Sequence, residues 1–316
     1  MEIIATSVGI DVCKDRLDVF IEGPKGGRRQ FANDSEGIRK LIAQLGSGCV
    51  VAMEATGRYE AQLRHALEAA GLDVRVQNPR LVRRLAEGLG VQAKTDLIDA
   101  QLLARTAHLC APNSPRSKER EALADLERTI QTLKTERTSH MKRVASPGFS
   151  RVAARCLKQV IMSLERQIAN LEKAFVQEVA KTSLGRAYEL AKSIPGVGPA
   201  LARAAVCELP EDLSGWSLRQ ICSYAGVAPL DNSSGKKKAP ARLAKHGNMH
   251  LKAALYMPAL AHVTHNTWAT ILYRKLRAKG LAHQQAIVAV MRKLLIQIFA
   301  VLKRGTAWEA VQPETT

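Results

Sequence analysis

Aromatic side chains make up only 4% of this 316-residue chain. So small a supply argues against a surface that stacks bases, as single-strand nucleic-acid binders do. The six cysteines (Cys13, Cys49, Cys110, Cys156, Cys207 and Cys222) include no Cys-x-x-Cys pair. A disulfide frame and a cysteine zinc site are therefore not expected; the pattern reads as small core residues in a reducing compartment. No uninterrupted apolar run approaches the ~18 residues of a membrane span. The start, with Glu2 and a short apolar run, does not resemble a signal peptide. These absences lead to the expectation of a soluble, cytoplasmic protein without membrane association.

What is abundant is positive charge. Forty-seven Lys and Arg against 29 Asp and Glu leave a formal charge of +18. An excess spread along most of the chain calls for a polyanionic partner, nucleic acid above all, held by phosphate and shape contacts. A few acids sit where a basic protein has little use for them. Asp11 ends an apolar run rich in Ile and Val, and Glu54 ends the run Cys49-Val50-Val51-Ala52-Met53. Each run reads as a strand, the second as one covered on both faces. Asp96 and Asp99 stand one turn apart on a helix that Thr95 caps and Leu102 and Leu103 continue. Two acids in a first turn also serve simply to oppose the helix dipole. If the strands of Asp11 and Glu54 are neighbours and the helix crosses their ends, all four acids converge. Such a set of hard oxygen ligands suits Mg²⁺ or Mn²⁺ and phosphodiester chemistry. Asp15 and Asp18 read as surface residues.

The order along the chain is three strands joined by tight turns, a helix capped by Asp34-Ser35, then strand, helix, strand and helices. That order describes an α/β layer with a mixed sheet. From about Ser117 to Thr182 two helical patterns follow (Leu123, Leu126, Ile130, Leu133; then Val160, Ile161, Leu164, Ile168, Leu171, Phe175), broken at Ser146-Pro147-Gly148. They fit two long antiparallel helices, closing on each other or on a second copy as a coiled coil. Ile194-Pro195-Gly196-Val197-Gly198 then turns into a helix whose free N–H groups suit a phosphate, or forms a plain corner. Further helices are expected around 217–225, 250–262 and 283–303. Between them the segment from Gly226 to Lys238 reads as irregular. It contains Ser233-Ser234-Gly235 followed by Lys236, Lys237 and Lys238, and Lys245-His246-Gly247-Asn248 stands beyond it. A serine beside glycine and cations can act as a phosphate-directed nucleophile, or belong to a flexible loop. His246 reads as a contact residue or general acid. The histidine pairs lack the partners of a zinc site.

Together, Gly9-Ile10-Asp11-Val12, Met53-Glu54-Ala55-Thr56-Gly57 and Lys94-Thr95-Asp96-Leu97-Ile98-Asp99-Ala100 resemble the DEDD transposases of the IS-one-ten / IS-eleven-eleven insertion-sequence family. The later motifs (the Ile194–Gly198 turn, Gly226-Val227-Ala228-Pro229, Ser233-Ser234-Gly235 and Lys245-His246-Gly247-Asn248) match that family's C-terminal domain, so the resemblance spans nearly the whole chain. It implies a RuvC-like (RNase H-like) domain over 1–112, a coiled-coil dimerisation region over 113–185, a mostly α C-terminal transposase domain over 186–310, and a tail at 311–316. Asp11, Glu54, Asp96 and Asp99 would bind Mg²⁺ (or Mn²⁺). Ser234 would be the nucleophile that joins DNA, with Ser233 as the alternative one residue away. Gly196, Gly198, Lys236, Lys237, Lys238, Lys245 and His246 would face nucleic acid. The implied partners are double-stranded donor and target DNA, a structured non-coding bridge RNA, and further copies forming a dimer and then a tetramer. The setting would be the bacterial cytoplasm, on the nucleoid when active. A junction-resolving nuclease using water, or a non-catalytic nucleic-acid scaffold, are the competing readings.

Overall fold

The computed structural model describes residues 6–309 apart from 25, 47, 55–56, 78, 91–95, 110–116, 235–236, 244–246 and 266. The chain forms two compact units, Met1–Pro115 and Arg116–Thr316.

In the first unit β1 (Ser7–Val12), β2 (Arg16–Ile21) and β3 (Gly27–Ala32) form the expected antiparallel meander. Asp34 caps α1 (Ser35–Ile42) by accepting a 2.7 Å hydrogen bond from the Gly37 amide. β4 (Val50–Glu54) and β5 (Asp73–Gln77) then add in parallel on the other side of β1, giving the order β3-β2-β1-β4-β5. Parallel neighbours need crossovers, and α1 and α2 (Ala61–Ala69) supply them. Thr56 lies outside the described residues, and Gly57 falls in a turn ahead of α2.

Strand β4 shows why its sequence is an unbroken apolar run. Val51 and Met53 join Ile38, Leu41, Leu63 and Leu67 from α1 and α2. Val50 and Ala52, pointing the other way, join Val82 and Ala86 of α3 (Pro79–Gly88) and Leu102 and Leu103 of α4 (Asp96–Thr106). With period-2 alternation and cover on both sides, no polar position is left until Glu54.

The second unit opens with α5 (Lys118–Val144) and α6 (Arg151–Ala180), which pack together as a helical hairpin within the chain, turning at the Ser146–Gly148 break. At its base Leu123, Ala124, Phe175 and Val179 enter a core shared with α7 (Leu184–Lys192), α8 (Pro199–Glu208), α9 (Leu218–Tyr224), α10 (Met249–Thr264) and α12 (His283–Arg304). Between α10 and α12 lies α11 (Trp268–Ala278), which the sequence reading lacks. Further from that base Met141, Val152, Val160 and Met162 stay exposed.

One expectation needs correction. The segment read as irregular contains a β-hairpin, β6 (Pro229–Ser234) with β7 (Lys237–Leu243), antiparallel and bulged near Leu230–Asn232. Asn-Ser-Ser-Gly-Lys has little strand propensity, and the pairing is a property of the two strands together. The α12 stretch is long and apolar enough, by length and composition, to cross a membrane, although Arg292 and Lys293 interrupt any apolar run. Half of it is buried, with Ile287, Val290, Leu294, Leu295 and Ile298 in the core.

An ionic network ties α5, α6 and α8. Arg203 donates to Glu127 at 2.6 Å and to Glu172 at 2.9 Å, and Lys134 donates to Glu172 at 2.7 Å. Burial alone would raise the Glu172 pKa, but hydrogen bonds and charge from Lys134 and Arg203 outweigh it and hold it below 4.5. An acid depressed on folding stabilises above its unfolded pKa, and the contribution is lost as pH falls through the lower folded value. Urea midpoints of this protein are thus expected to fall below pH 4.5 more steeply than those of Lys134→Met. Identical pH slopes in the two proteins would exclude this origin.

Candidate active site

The acids emerge from the register of the sheet. β1 alternates Val8, Ile10 and Val12 towards α1 and α2, leaving Ser7, Gly9 and Asp11 on the opposite face. β4 runs parallel with Ile10 beside Met53, so Asp11 and Glu54 occupy the next rung at the same end of adjacent strands. Glu54 follows Val50 and Ala52 on the face that α3 and α4 cover.

Helix α4 is seated on that face at Gly9. A Cβ there would collide with the Ala100 carbonyl oxygen and the Ala104 amide nitrogen, and would lie 2.9 Å from the Leu103 Cβ. The missing side chain lets helix backbone lie on strand backbone. Asp99, half-buried, directly precedes this seat, and Asp96 begins the helix. Of Asp96 only the backbone belongs to the described structure, and Thr95 lies outside it.

The tightest group among the described residues is a different one: ligand atoms of Asp11, Cys13 and Asp18 lie within 4.8 Å of one another, and neither Glu54 nor Asp99 is a member. Asp18 is not a surface residue. It is the register partner of Asp11 across β1 and β2, buried, and receives hydrogen bonds from Arg16 Nε at 2.7 Å and Gln30 Nε2 at 2.9 Å. Sequence reasoning missed it because a strand with both faces covered shows no alternation; the pairing across the short turn was the available signal. Cys13 carries a thiol to the same place, unlike Cys207, which burial first and then Glu127 and Glu208 push up to about 12. Cys49, Cys207 and Cys222 are buried, whereas Cys156 is exposed, against the expectation of a core cysteine; Cys110 lies outside the described residues. Two carboxylates, Asp11 and Asp18, supply the hard oxygens a divalent cation prefers, while Glu54 stands on the same rung as Asp11 outside that group.

In the second unit Ser234 ends β6 and is the register partner of Lys237, as Ser233 is of Lys238. Lys236, Lys245 and His246 lie outside the described residues. Gly198 is the N-cap of α8, with Pro199 in its first turn and no side-chain cap, which leaves the first amides of that helix without an internal acceptor. Gly196, at φ +83, has a packing role: a Cβ there would overlap the ring of His262. That ring is 6% exposed; burial first, and then His265, lower its pKa, while the Pro195 backbone acts in the opposite sense.

Two family models match the chain: a transposase model of the DEDD IS110 (IS-one-ten) type over residues 8–146, and one described as transposase IS116/IS110/IS902 family over residues 188–274. A pilin gene-inverting protein of Moraxella bovis is 27% identical over 320 residues, covering 96% of this chain and 98% of that protein. The transposase of insertion element IS1328 from Yersinia enterocolitica is 23% identical over 292 residues, 82% of this chain and 84% of its own. A 43.6 kDa protein of insertion element IS110 from Streptomyces coelicolor is 31% identical over 121 residues, 38% of this chain and 30% of its own. With both halves matched in order, the chain belongs to the IS110/IS116 family of insertion-sequence transposases.

Proposed function

We propose that this protein is a bridge-RNA-guided DNA recombinase that exchanges strands through a phosphoserine intermediate. The observation that carries the proposal is the placing of Asp11 and Glu54 on one rung of adjacent parallel strands, under a helix that bears Asp96 and Asp99. The sheet order β3-β2-β1-β4-β5 supports an RNase H-like, RuvC-type unit for these acids. They would hold Mg²⁺ or Mn²⁺, which when bound stabilises charge on the phosphate oxygens. Ser234 Oγ attacks the scissile phosphorus, an ester bond to serine forms, and one deoxyribose oxygen leaves with a proton. Return of a deoxyribose hydroxyl reverses the step and frees the serine, so no external energy source is needed. Lysines of the hairpin attract the phosphate electrostatically.

The +18 charge suits a complex with two duplexes and a structured RNA. The exposed Met141, Val152, Val160 and Met162 support dimerisation through α5 and α6, and tetramer formation from such dimers. A relative named for pilin gene inversion also fits strand exchange, because excision, insertion and inversion differ in how the sites are arranged.

Adduct trapping with flanking RNA present tests this. Asp11→Ala and Ser234→Ala are each expected to abolish recombination, and Ser234→Ala to remove the covalent protein–DNA species. An adduct that persists in Ser234→Ala but disappears in Ser233→Ala moves the nucleophile by one residue. Metal-dependent cleavage without any adduct favours a junction-resolving nuclease, and no metal dependence favours a scaffold.

A further inference from the structure

Glu208 is the last residue of α8 and is 4% exposed. A carboxylate is out of place there, since a helix C-terminus disfavours negative charge and burial strips its water. The cost is offset by specific partners. Asn248 Nδ2 donates to Glu208 Oε2 at 2.7 Å and Arg128 Nη2 lies 3.4 Å from Oε1, while the Tyr224 hydroxyl donates to the main-chain carbonyl of Glu208 at 2.7 Å.

These partners stand at the two ends of one segment. Tyr224 ends α9, immediately before the chain departs for β6; Asn248 caps α10, immediately after it returns from β7. The Asn248 amide also donates to the Tyr224 carbonyl at 2.7 Å. Between them the backbones touch. Gly247 has φ +112, and a Cβ on it would lie 2.5 Å from both Cα and N of Gly226 and 3.0 Å from the Tyr224 carbonyl oxygen. The chain therefore leaves and re-enters the core at a single point, with Pro229 and Leu243 opening the ladder just beyond.

A two-stranded hairpin is marginal by itself and takes its direction from its root. We infer that Glu208 and Asn248 are positioning residues for Ser234, clamping the root of the β6–β7 hairpin so that its end is presented at a fixed angle to the DNA phosphate. The inference rests on Ser234 as nucleophile, while the clamp can be read without it.

Three full-length variants test this. Asn248→Asp keeps the oxygen that accepts from the Leu251 amide at 2.9 Å, and so keeps the α10 cap, but turns a carboxylate towards Glu208. Glu208→Gln combined with Asn248→Asp restores the bond with donor and acceptor exchanged. Tyr224→Phe removes one hydroxyl and leaves the ring against Trp216 at 5.5 Å. Amide exchange over 229–243 and the rate of adduct formation at saturating DNA are the readouts. Asn248→Asp is expected to speed exchange across β6 and β7 and to slow adduct formation about 10- to 100-fold, the scale of a misplacement near 1 Å, with DNA affinity unchanged. The double variant should recover most of both, and Tyr224→Phe should shift exchange in the same direction by less. Unchanged exchange in both single variants, faster exchange with an unaltered adduct rate, or no recovery in the double would each overturn the positioning role. If the wild type forms no adduct, the serine reading has failed, and the exchange pattern with its recovery in the double still decides the clamp.

Discussion

Gly9→Ala is expected to abolish strand exchange and to lower the melting temperature of the protein, although alanine is an ordinary strand residue. What stands in the way is space. The atoms a methyl group would meet are the Ala100 carbonyl oxygen and the Ala104 amide nitrogen, both backbone of α4, which no rotamer change can remove. The helix must lift. Overpacking of this kind costs about 1–3 kcal/mol, and the displacement is passed to Asp99, next in the chain to the blocked atoms. Since a catalytic arrangement tolerates only about 0.5 Å, activity should fall much further than stability. Gly46→Ala, with nothing within 4 Å of the added carbon, is the control and should behave as wild type. Near-normal recombination by Gly9→Ala would show that α4 does not position the acids.

The second large effect is one of stability. Arg203→Met should destabilise the C-terminal unit by about 3–5 kcal/mol, the range for removing one partner of a buried ion pair. Arg203 is 2% exposed and Glu127 5%, and without the guanidinium Glu127 keeps, among the described residues, the 2.7 Å hydrogen bond from Gln131 in place of the pair. The double replacement Arg203→Met with Glu127→Leu should regain most of the loss, because it leaves no buried charge uncompensated. Denaturant midpoints followed by far-UV circular dichroism measure both. A single variant within about 0.5 kcal/mol of wild type, the span of ordinary surface changes, would refute the assignment.

How far the sequence could be read depends on the range of the interaction. The strands of the first unit carry their own pattern: the apolar run ending at Glu54 is a local signal, and Asp34 is a cap recognisable by residue type. The neighbour relation of β1 and β4, needed to bring Asp11 beside Glu54, enters the sequence reading only as a condition; the ladder supplies it. Three features have no local signature. Asp18 reads as exposed because its burial, and its bond from Gln30 of β3, arise only once β2 has a strand on each side. The β6–β7 hairpin is concealed by serine, asparagine and lysine. Glu208 and Asn248, forty positions apart, give no hint in composition that one holds the other. The guide RNA and the tetramer rest on the resemblance alone, whereas Mg²⁺ or Mn²⁺ and a coiled-coil partner are also readable from the acids and the apolar helical seam.

The seat of α4 on Gly9 also sets a rotational phase. Positions 96 and 99 and the contact that Ala100, Leu103 and Ala104 make with Gly9 share one short helix, so the placing of the two acid positions is counted out in residues. One residue inserted between Asp99 and Ala100 would swing both acids by about 100° around the axis and carry them about 1.5 Å along it. Four residues would bring them back to nearly the same bearing but about 6 Å too far along. Neither change alters a single side chain, yet each moves positions 96 and 99 relative to the rung of Asp11 and Glu54. If these acids hold the metal as proposed, spacing in this helix is as much a requirement as their identity, and insertions between Asp99 and Ala104 should abolish recombination.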